Sequence, residues 1–463
     1  MARVLHLLSQ RPGRSGSGVF LQAMVREAAR RGHAQHVLAA GPPGTTADEL
    51  PPLGPDDFTL IPFPSPGAPF PVPGNSDVMP YASTVFSRMT ELQVEQYLQV
   101  SRAAMRDARE RFRPDLVHAH HLWLMTALAR EVFHDVPVVA TSHNAELRQM
   151  VKAPHLAPRV VPGIRALDRV CVLTPRSRAD TSEAYGVDEA RIAETGAGYD
   201  GDLFHLSGQP RDVLLARLRN EFGIELPDGP LVTFVGRLSA PKGVPFLLEA
   251  AVRARTAGTP FHLVLVGATG SGEEGARVGE MARAVGEVVV HVGAQPPEAV
   301  ALILQCSALF VLPSLFEGLP LTMLEAAACG CPCLVSALPT IRSWVPAEWV
   351  DDGHFALVPA LATTDADVPV PADVPRYVDA LARGMLAMLA RPRGAAERAD
   401  LASRLAPHSW SAVFARYQAV YDDLARGGLT QSPVPRSERR SAAGERYESR
   451  DQRMAPRVKS WAR

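Results

Sequence analysis

Glu317 and Glu325 lie eight positions apart in PSLFEGLPLTMLEAAACGCPCLVS (residues 313–336), on either side of a Leu-Pro step. Arg237 and Lys242 lie five apart in FVGRLSAPKG, after an apolar run and before the helical pattern VPFLLEAAVRA. A guanidinium and an ammonium in one loop at a strand's carboxyl end, beside a helix N-terminus, match the charge and geometry of a diphosphate. Pro320 suits the first helical position, where its fixed φ helps and its missing N–H costs nothing. That start leaves Glu317 in a loop and carries Glu325 about 7 Å along the helix, at about 1.5 Å per residue. Carboxylates so spaced can accept hydrogen bonds from a hexose at one end of a nucleotide sugar and from its ribose at the other, with the diphosphate held between.

Histidines form the second group: VHAHHLW supplies His118, His120 and His121, and TSHNAE supplies His143 with Glu146 behind it. His118 and His120, two apart on a strand, point to one side, which makes zinc binding conceivable, but no motif supplies the remaining ligands and no metal is expected. Gly16 and Gly18 precede a helical pattern, where absent side chains let a ligand approach backbone N–H groups. The C-x-C-x-C run at Cys329, Cys331 and Cys333 is too tight for a structural zinc site, which prefers C-x2-4-C pairs, and it reads as small apolar packing.

These residues need elements to hold them. The chain has 463 residues, 46% of them hydrophobic, enough for two domains of about 200 residues each. VLHLL, HVLAAG, DLVHAH, VPVVATSH and RVCVLT are short apolar runs, each ending in polar or glycine residues and alternating with helical patterns. A second such series runs from PLVTFVGRLS through FHLVLVGATG, EVVVHVGAQ and ALFVLPS to CPCLVSA. Runs apolar almost throughout suit parallel strands covered on both faces, and two α/β doubly wound domains follow, with ligands at the carboxyl ends of their strands. Between 42 and 80, proline and glycine crowd the chain, which predicts an extended surface loop, either a plain connector or an active-site flap. HSWSAVFARYQAVYDDLAR carries an apolar stripe that should dock on the body, and the Arg-rich residues after it lack core formers and predict a disordered tail.

The formal net charge of −1 gives no global pull toward nucleic acid or an anionic membrane. The N-terminal MARVLHLLSQ lacks the long apolar core of a signal peptide, and no apolar run reaches membrane-spanning length. Four of the five cysteines crowd residues 306–333 inside apolar runs, unlike a secreted disulfide framework. A cytoplasmic protein is expected, without integral membrane contact and with peripheral contact not favoured.

The stretch Pro313 to Pro332, P-S-x-x-E-G-x-P-L-x-x-x-E-A-x-A-x-G-x-P, resembles the signature of the retaining glycosyltransferases of family 4. VGRLSAPKG, the HSW…Y…VY helix, and the N-terminal strand, glycine loop and RRGH extend the likeness over residues 3 to 425. The resemblance implies a GT-B fold: two Rossmann-like domains facing across a cleft, with the last helix crossing back. Residues 1–205 would form the acceptor domain, joined by helix 408–426; residues 206–407 would form the donor domain, and 427–463 the tail.

It further implies a UDP- or GDP-linked sugar as co-substrate, no metal, and a small-molecule acceptor. Arg237 and Lys242 would neutralise the departing diphosphate, Glu317 would meet the donor sugar near the reacting face, and Glu325 would bind the ribose. Gly16, Gly18, Gly318, Leu319 and Leu321 would complete the donor site, and His143 would hydrogen-bond the sugar. His118, His120 and Glu146 are assigned to the acceptor. Alanine, arginine and proline usage of the GC-rich actinobacterial kind points to a specialised-metabolite acceptor such as an antibiotic precursor. A polysaccharide or glycolipid transferase, a non-transferring nucleotide-sugar epimerase of the same fold, and a silent nucleotide-sugar-binding protein are the alternatives.

Overall fold

The computed structural model describes residues 1–427 except 14, 78, 80, 270, 271, 366 and 367; the predicted tail lies outside the described residues. The chain divides into two compact units, the first from residues 1–172, 177–194 and 415–427, the second from 173–176 and 195–414.

Unit 1 is built on seven parallel strands: β1 (Arg3–Leu8), β2 (Ala34–Gly41), β3 (Phe58–Pro62), β4 (Leu116–His120), β5 (Val138–Thr141), β6 (Arg169–Val172) and β7 (Ile192–Glu194). Their order is β3-β2-β1-β4-β5-β6-β7, so the winding reverses between β1 and β4. The carboxyl ends of that pair mark the place where an open α/β sheet receives a ligand. Alternation along the strands sorts the side chains. Leu5 and Leu7 of β1, with Val117 and Ala119 of β4, enter the large core on one face. Leu8 joins Leu21 and Val25 of helix α1 (Gly16–Arg30) on the other, and His6, His118 and His120 share that second face by parity.

The proline-rich segment departs from the expected surface loop. Phe58–Pro62 adds an edge strand in parallel register to β2, from Val37↔Phe58 to Gly41↔Pro62. Phe63, Ala68, Phe70 and Val72 then enter the main core. Proline is tolerated there because an edge strand pairs on one side only, and the interleaved aromatics bury the segment despite its glycines and prolines.

Unit 2 repeats the plan with six parallel strands: β8 (Leu231–Val235), β9 (His262–Val266), β10 (Val289–Gly293), β11 (Leu309–Leu312), β12 (Cys333–Ser336) and β13 (Phe355–Val358). The order β10-β9-β8-β11-β12-β13 puts the reversal between β8 and β11. Cys329, Cys331 and Cys333 are buried free thiols, and burial pushes the Cys331 thiol up to about 12, which suits packing and not redox work. The final helix runs Trp410–Ala425, with Tyr417, Tyr421 and Leu424 buried in unit 1.

Candidate active site

In unit 2 the two loops at the switch point are tied together. Leu315 N–H donates to the Pro241 carbonyl at 2.9 Å, and Gly243, in the left-handed region at φ 74°, passes so close that a Cβ there would lie 1.9 Å from the Pro313 oxygen. Only glycine fits, and this contact sets where the basic loop sits against the acidic one. Lys242, just before the helix Val244–Thr256, donates to Glu317 Oε1 at 2.6 Å, and Ser314 Oγ donates to the same oxygen at 2.7 Å. Thr340 Oγ1 donates to the Glu317 carbonyl at 2.8 Å and pins the loop backbone. The Lys242 side chain keeps 36% exposure, so its ammonium stays open to an incoming anion, while Glu317 is held at 11%. Arg237 is half-buried just after β8.

The helix that carries Glu325 spans Leu321–Ala328, and Pro320 is its N-cap and not its first residue. Pro320 has extended backbone at ψ 118°, so the chain turns helical one residue later than its φ alone suggests. Gly318 and Leu321 are half-buried, and Leu319 is buried. Glu325 is half-buried; desolvation first, and then the charge of Asp200, push its carboxyl up to about 7. A group poised there changes its hydrogen-bonding role near neutral pH.

In unit 1 a file of polar side chains crosses the strand ends at the other switch point. Gln10 Nε2 donates to Ser17 Oγ at 2.8 Å; Ser17 Oγ lies 3.0 Å from His121 Nε2, and His121 Nδ1 lies 3.2 Å from Glu146 Oε2. With Gln10 donating to it, Ser17 gives its hydroxyl proton to His121 Nε2, which leaves the ring's Nδ1–H for the carboxylate. Glu146 Oε1 accepts the His143 N–H at 2.9 Å, and His143 Nε2 meets His120 Nδ1 at 3.2 Å. Glu146 is fully buried; burial raises its carboxyl, but the hydrogen bonding of its oxygens, first by His121, outweighs that and holds it below the ordinary carboxylate range. Burial, and then His121, push the His143 imidazole down to about 3, so it is neutral and able to accept as well as donate.

Two positions that shape this file sit on strained backbone: His121 at φ 71°, just past β4, and Asn144 at φ 67°, just past β5. Neither is glycine, and the strain turns His121 and Glu146 toward each other. The proline-rich segment closes the group: Asn75 Nδ2 donates to Ser9 Oγ and Gln10 Oε1 at 3.0 and 3.2 Å, Gln149 Nε2 donates to the Asn75 carbonyl at 3.1 Å, and Lys152 pairs with Asp77 at 2.6 Å.

The expected residues thus gather in two groups: Arg237, Lys242, Glu317, Gly318, Leu319, Leu321 and Glu325 in unit 2, and Gly16, His120, His143 and Glu146 in unit 1. Two expectations are corrected. His118 is 0% exposed, and its ring nitrogens engage Tyr421 Oη at 2.6 Å and Thr141 Oγ1 at 2.8 Å, so it holds the final helix to the sheet and faces no acceptor. Gly18 is buried with its N–H on the Ser15 Oγ cap at 3.2 Å, and a Cβ would lie 2.6 Å from Gly13 N, so packing demands it and no donor is left for a ligand. Gly16 is exposed with open space beside it. Ser17, His121 and Asn75 are the residues that sequence reasoning missed; His121 was in view in VHAHHLW, but nothing in that run shows its backbone strain.

Comparison with known proteins follows the same division. The family described as "Glycosyltransferase Family 4" matches residues 14–200, and that described as "Glycosyl transferases group 1" matches residues 229–367. Curated relatives include the D-inositol 3-phosphate glycosyltransferases of Gordonia bronchialis, 32% identical over 48% of this chain and 51% of that protein, and of Segniliparus rotundus, 30% identical over 52% and 58%. The chain spans about half the length of these relatives in the alignments. Among solved structures, sucrose-phosphate synthase from Thermosynechococcus elongatus superposes with a TM-score of 0.60 at 18% identity, covering 92% of this chain and all of that one. HepE from Anabaena, in complex with UDP-glucose, gives 0.58 at 14% identity over 92% and 100%. These likenesses establish the GT-B fold. Among the described residues, no helix is long and apolar enough to cross a membrane.

Proposed function

We propose that this chain, which belongs to the glycosyltransferases of family 4, moves a sugar from a UDP- or GDP-linked donor to a hydroxyl of a small-molecule acceptor with retention at the anomeric carbon. The observation that carries the reading is the unit 2 loop pair, where Lys242 rests on Glu317 at 2.6 Å with its ammonium still half open and Arg237 lies on the same loop. Such a pair exchanges partners on binding: Lys242 moves its charge to the diphosphate, and Glu317 is released to accept from sugar hydroxyls. Glu325 accepts from the ribose, and the backbone at Gly318 and Leu319, with the Leu321 side chain, borders the same ligand. In unit 1, His143 hydrogen-bonds the donor sugar and Gly16 offers open backbone, while Glu146, enclosed with both oxygens engaged, and His120, behind His143, hold that side of the site in place instead of touching the acceptor.

Retention by double displacement requires a carboxylate nucleophile beside the anomeric carbon with a partner acid. Glu317, once released, is assigned to the sugar's hydroxyls and not to its anomeric carbon, which favours front-face substitution. The bond from the anomeric carbon to the phosphate oxygen breaks, the acceptor oxygen bonds to the same face, and the acceptor's proton passes to the departing phosphate, whose charge Arg237 and Lys242 stabilise. No metal is needed where two fixed cations serve the leaving group.

The acceptor is a small polyhydroxylated molecule. The names of the curated relatives point to a phosphorylated cyclitol, and the residue usage to a specialised metabolite such as an antibiotic precursor. Thermal shift against a panel of nucleotide sugars, then mass spectrometry of products with cyclitols, cyclitol phosphates and aminocyclitols, tests the reading. A UDP- or GDP-sugar should stabilise the protein, and one acceptor should gain a hexose mass. Binding of no nucleotide sugar, or a product with inverted configuration, sinks it.

A further inference from the structure

His6, His118 and His120 meet on one face of the unit 1 sheet. His6 on β1 stands in register with His118 on β4, and His120 follows two residues on, so all three rings project to the same side. All three are buried, at 0%, 0% and 1% exposure, and each offers a ring nitrogen within 4.8 Å of the others'. The histidine pair in VHAHHLW therefore has a third partner, from a strand more than 100 residues earlier.

The hydrogen bonds fix the bare nitrogen of His6 and leave one nitrogen of His120 without a partner. Gln35 Nε2 donates to the Val25 carbonyl at 3.0 Å, which orients the amide so that Oε1 faces His6 Nε2 at 3.2 Å. An amide oxygen only accepts, so His6 carries its proton on Nε2 and presents an unprotonated Nδ1 to the interior. That Nδ1 has no partner. His120 uses Nδ1 toward His143, and its Nε2 is also buried without a partner. Two ring nitrogens left without partners in a core cost about 1–3 kcal/mol each, and native interiors rarely leave such groups unmet. Burial, the largest cause in each case, also keeps the three rings neutral, the form that donates electron pairs.

We propose that His6 Nδ1, His120 Nε2 and one ring nitrogen of His118 bind a divalent transition-metal ion of the zinc class, a structural ion that ties β1 to β4 and plays no part in sugar transfer. Neutral imidazoles are the ligands such an ion prefers, and the partners behind them are of the kind that orients metal-bound histidine: an amide oxygen behind His6 and a second imidazole behind His120. A bridging water could donate to two lone pairs but would receive nothing from either, whereas a cation uses all three. Nitrogens around a tetrahedral zinc lie about 3.3 Å apart, as Zn–N bonds of about 2.0–2.1 Å require. Loading therefore draws the rings together and makes His118 exchange one hydroxyl partner for the ion.

The test uses the full chain with any affinity tag removed, expressed with and without added zinc and freed of loose metal on chelating resin. Elemental analysis should find about one zinc per chain, and cobalt substitution should give the intense visible bands of a tetrahedral site. His6→Ala and His120→Ala should both fall to background, and Gln35→Leu, which removes the group orienting His6, should weaken zinc about 10- to 100-fold. Cobalt titration of the unmutated protein keeps the idea exposed even if a variant fails to fold. Background metal with no cobalt bands would assign the cluster to a buried water, and zinc that survives both His6→Ala and His120→Ala would place the ion elsewhere; either result overturns the proposal.

Discussion

In unit 1 the polar residues at the strand ends are turned on one another: Gln10, Ser17, His121, Glu146, His143 and His120 hand hydrogen bonds along a buried file, with Glu146 wholly enclosed. In unit 2, at the equivalent reversal of the winding, Lys242 is half open, and Glu325 is held near the middle of its titration. The same topology thus supports two kinds of site. One is completed by the fold itself, and cutting it is expected to cost stability; the other stays open to solvent, and cutting it is expected to cost activity.

Removing the unit 2 cations should separate the two most sharply. Arg237→Ala with Lys242→Ala should lower transfer by about 10³-fold or more, because stabilising the leaving group's charge is the main source of rate in such a site. Thermal stability should hardly move, since a half-exposed lysine contributes little to folding. Near-normal turnover, or a large fall in Tm, would dissolve the contrast. Glu146→Ala is the mirror experiment. It strips the buried partner from His121 and leaves the His143 N–H without its acceptor, and losses of about 3 kcal/mol are typical when one member of a buried pair goes. A fall in the urea midpoint equivalent to that free energy should accompany reduced activity, and an unchanged midpoint would show the unit 1 file to be loose.

Gly243→Ala probes the fold beneath the ligand-ready site. A Cβ 1.9 Å from the Pro313 oxygen, at φ 74°, must push the basic loop off the acidic one. Displacement by about 1 Å costs a reaction up to about 10²-fold, so kcat/KM should fall while nucleotide still binds. Gly208→Ala, exposed and with open space around it, should change little by comparison. Equal effects at the two glycines would mean that the loop contact does not position Lys242.

The difference between the units also explains what could be read from the residues. Arg237 and Lys242 share one short loop, and Glu317 and Glu325 one loop and the helix after it, so their spacing gives their placement in the fold, with the helix starting one residue later than expected, after Pro320. The doubly wound pattern was equally plain, because parallel strands covered on both faces are apolar throughout. The unit 1 file is drawn from residues 10, 17, 75, 120, 121, 143 and 146, and two of its hinges are positive-φ residues that are not glycine. No periodicity marks such positions. The segment from 42 to 80 misled for a compositional reason: its prolines and glycines hide FTLIP and the buried Phe63, Phe70 and Val72, and burial follows the aromatics. His118 misled because a histidine at a strand end signals a ligand as readily as it signals a clamp on a distant helix, and only the bond to Tyr421 decides.

The smallest expected effect is also the most particular, because its two parts carry opposite signs. Glu325 has its carboxyl raised to about 7, first by burial and then by Asp200, so in the free protein it holds a proton that an unfolded chain would release near pH 4.5. Between those values the folded state binds the extra proton, and stability contributed by this site falls as pH rises through the window and stays lost above it. Glu325→Gln removes that liability: Tm should rise relative to the unmutated protein at pH 8 and match it near pH 4.5. Donor binding runs the other way. Ribose hydroxyls donate best to the ionised carboxylate, so nucleotide affinity should weaken as pH drops below 7, by at most about tenfold per unit. The glutamine should flatten that profile and cost about tenfold in affinity at pH 8, the worth of one hydrogen bond to a charged group. A glutamine variant that binds donor as well as the unmutated protein at pH 8, or whose affinity keeps the same slope with pH, would remove Glu325 from the ribose site and leave its raised carboxyl as a property of packing alone.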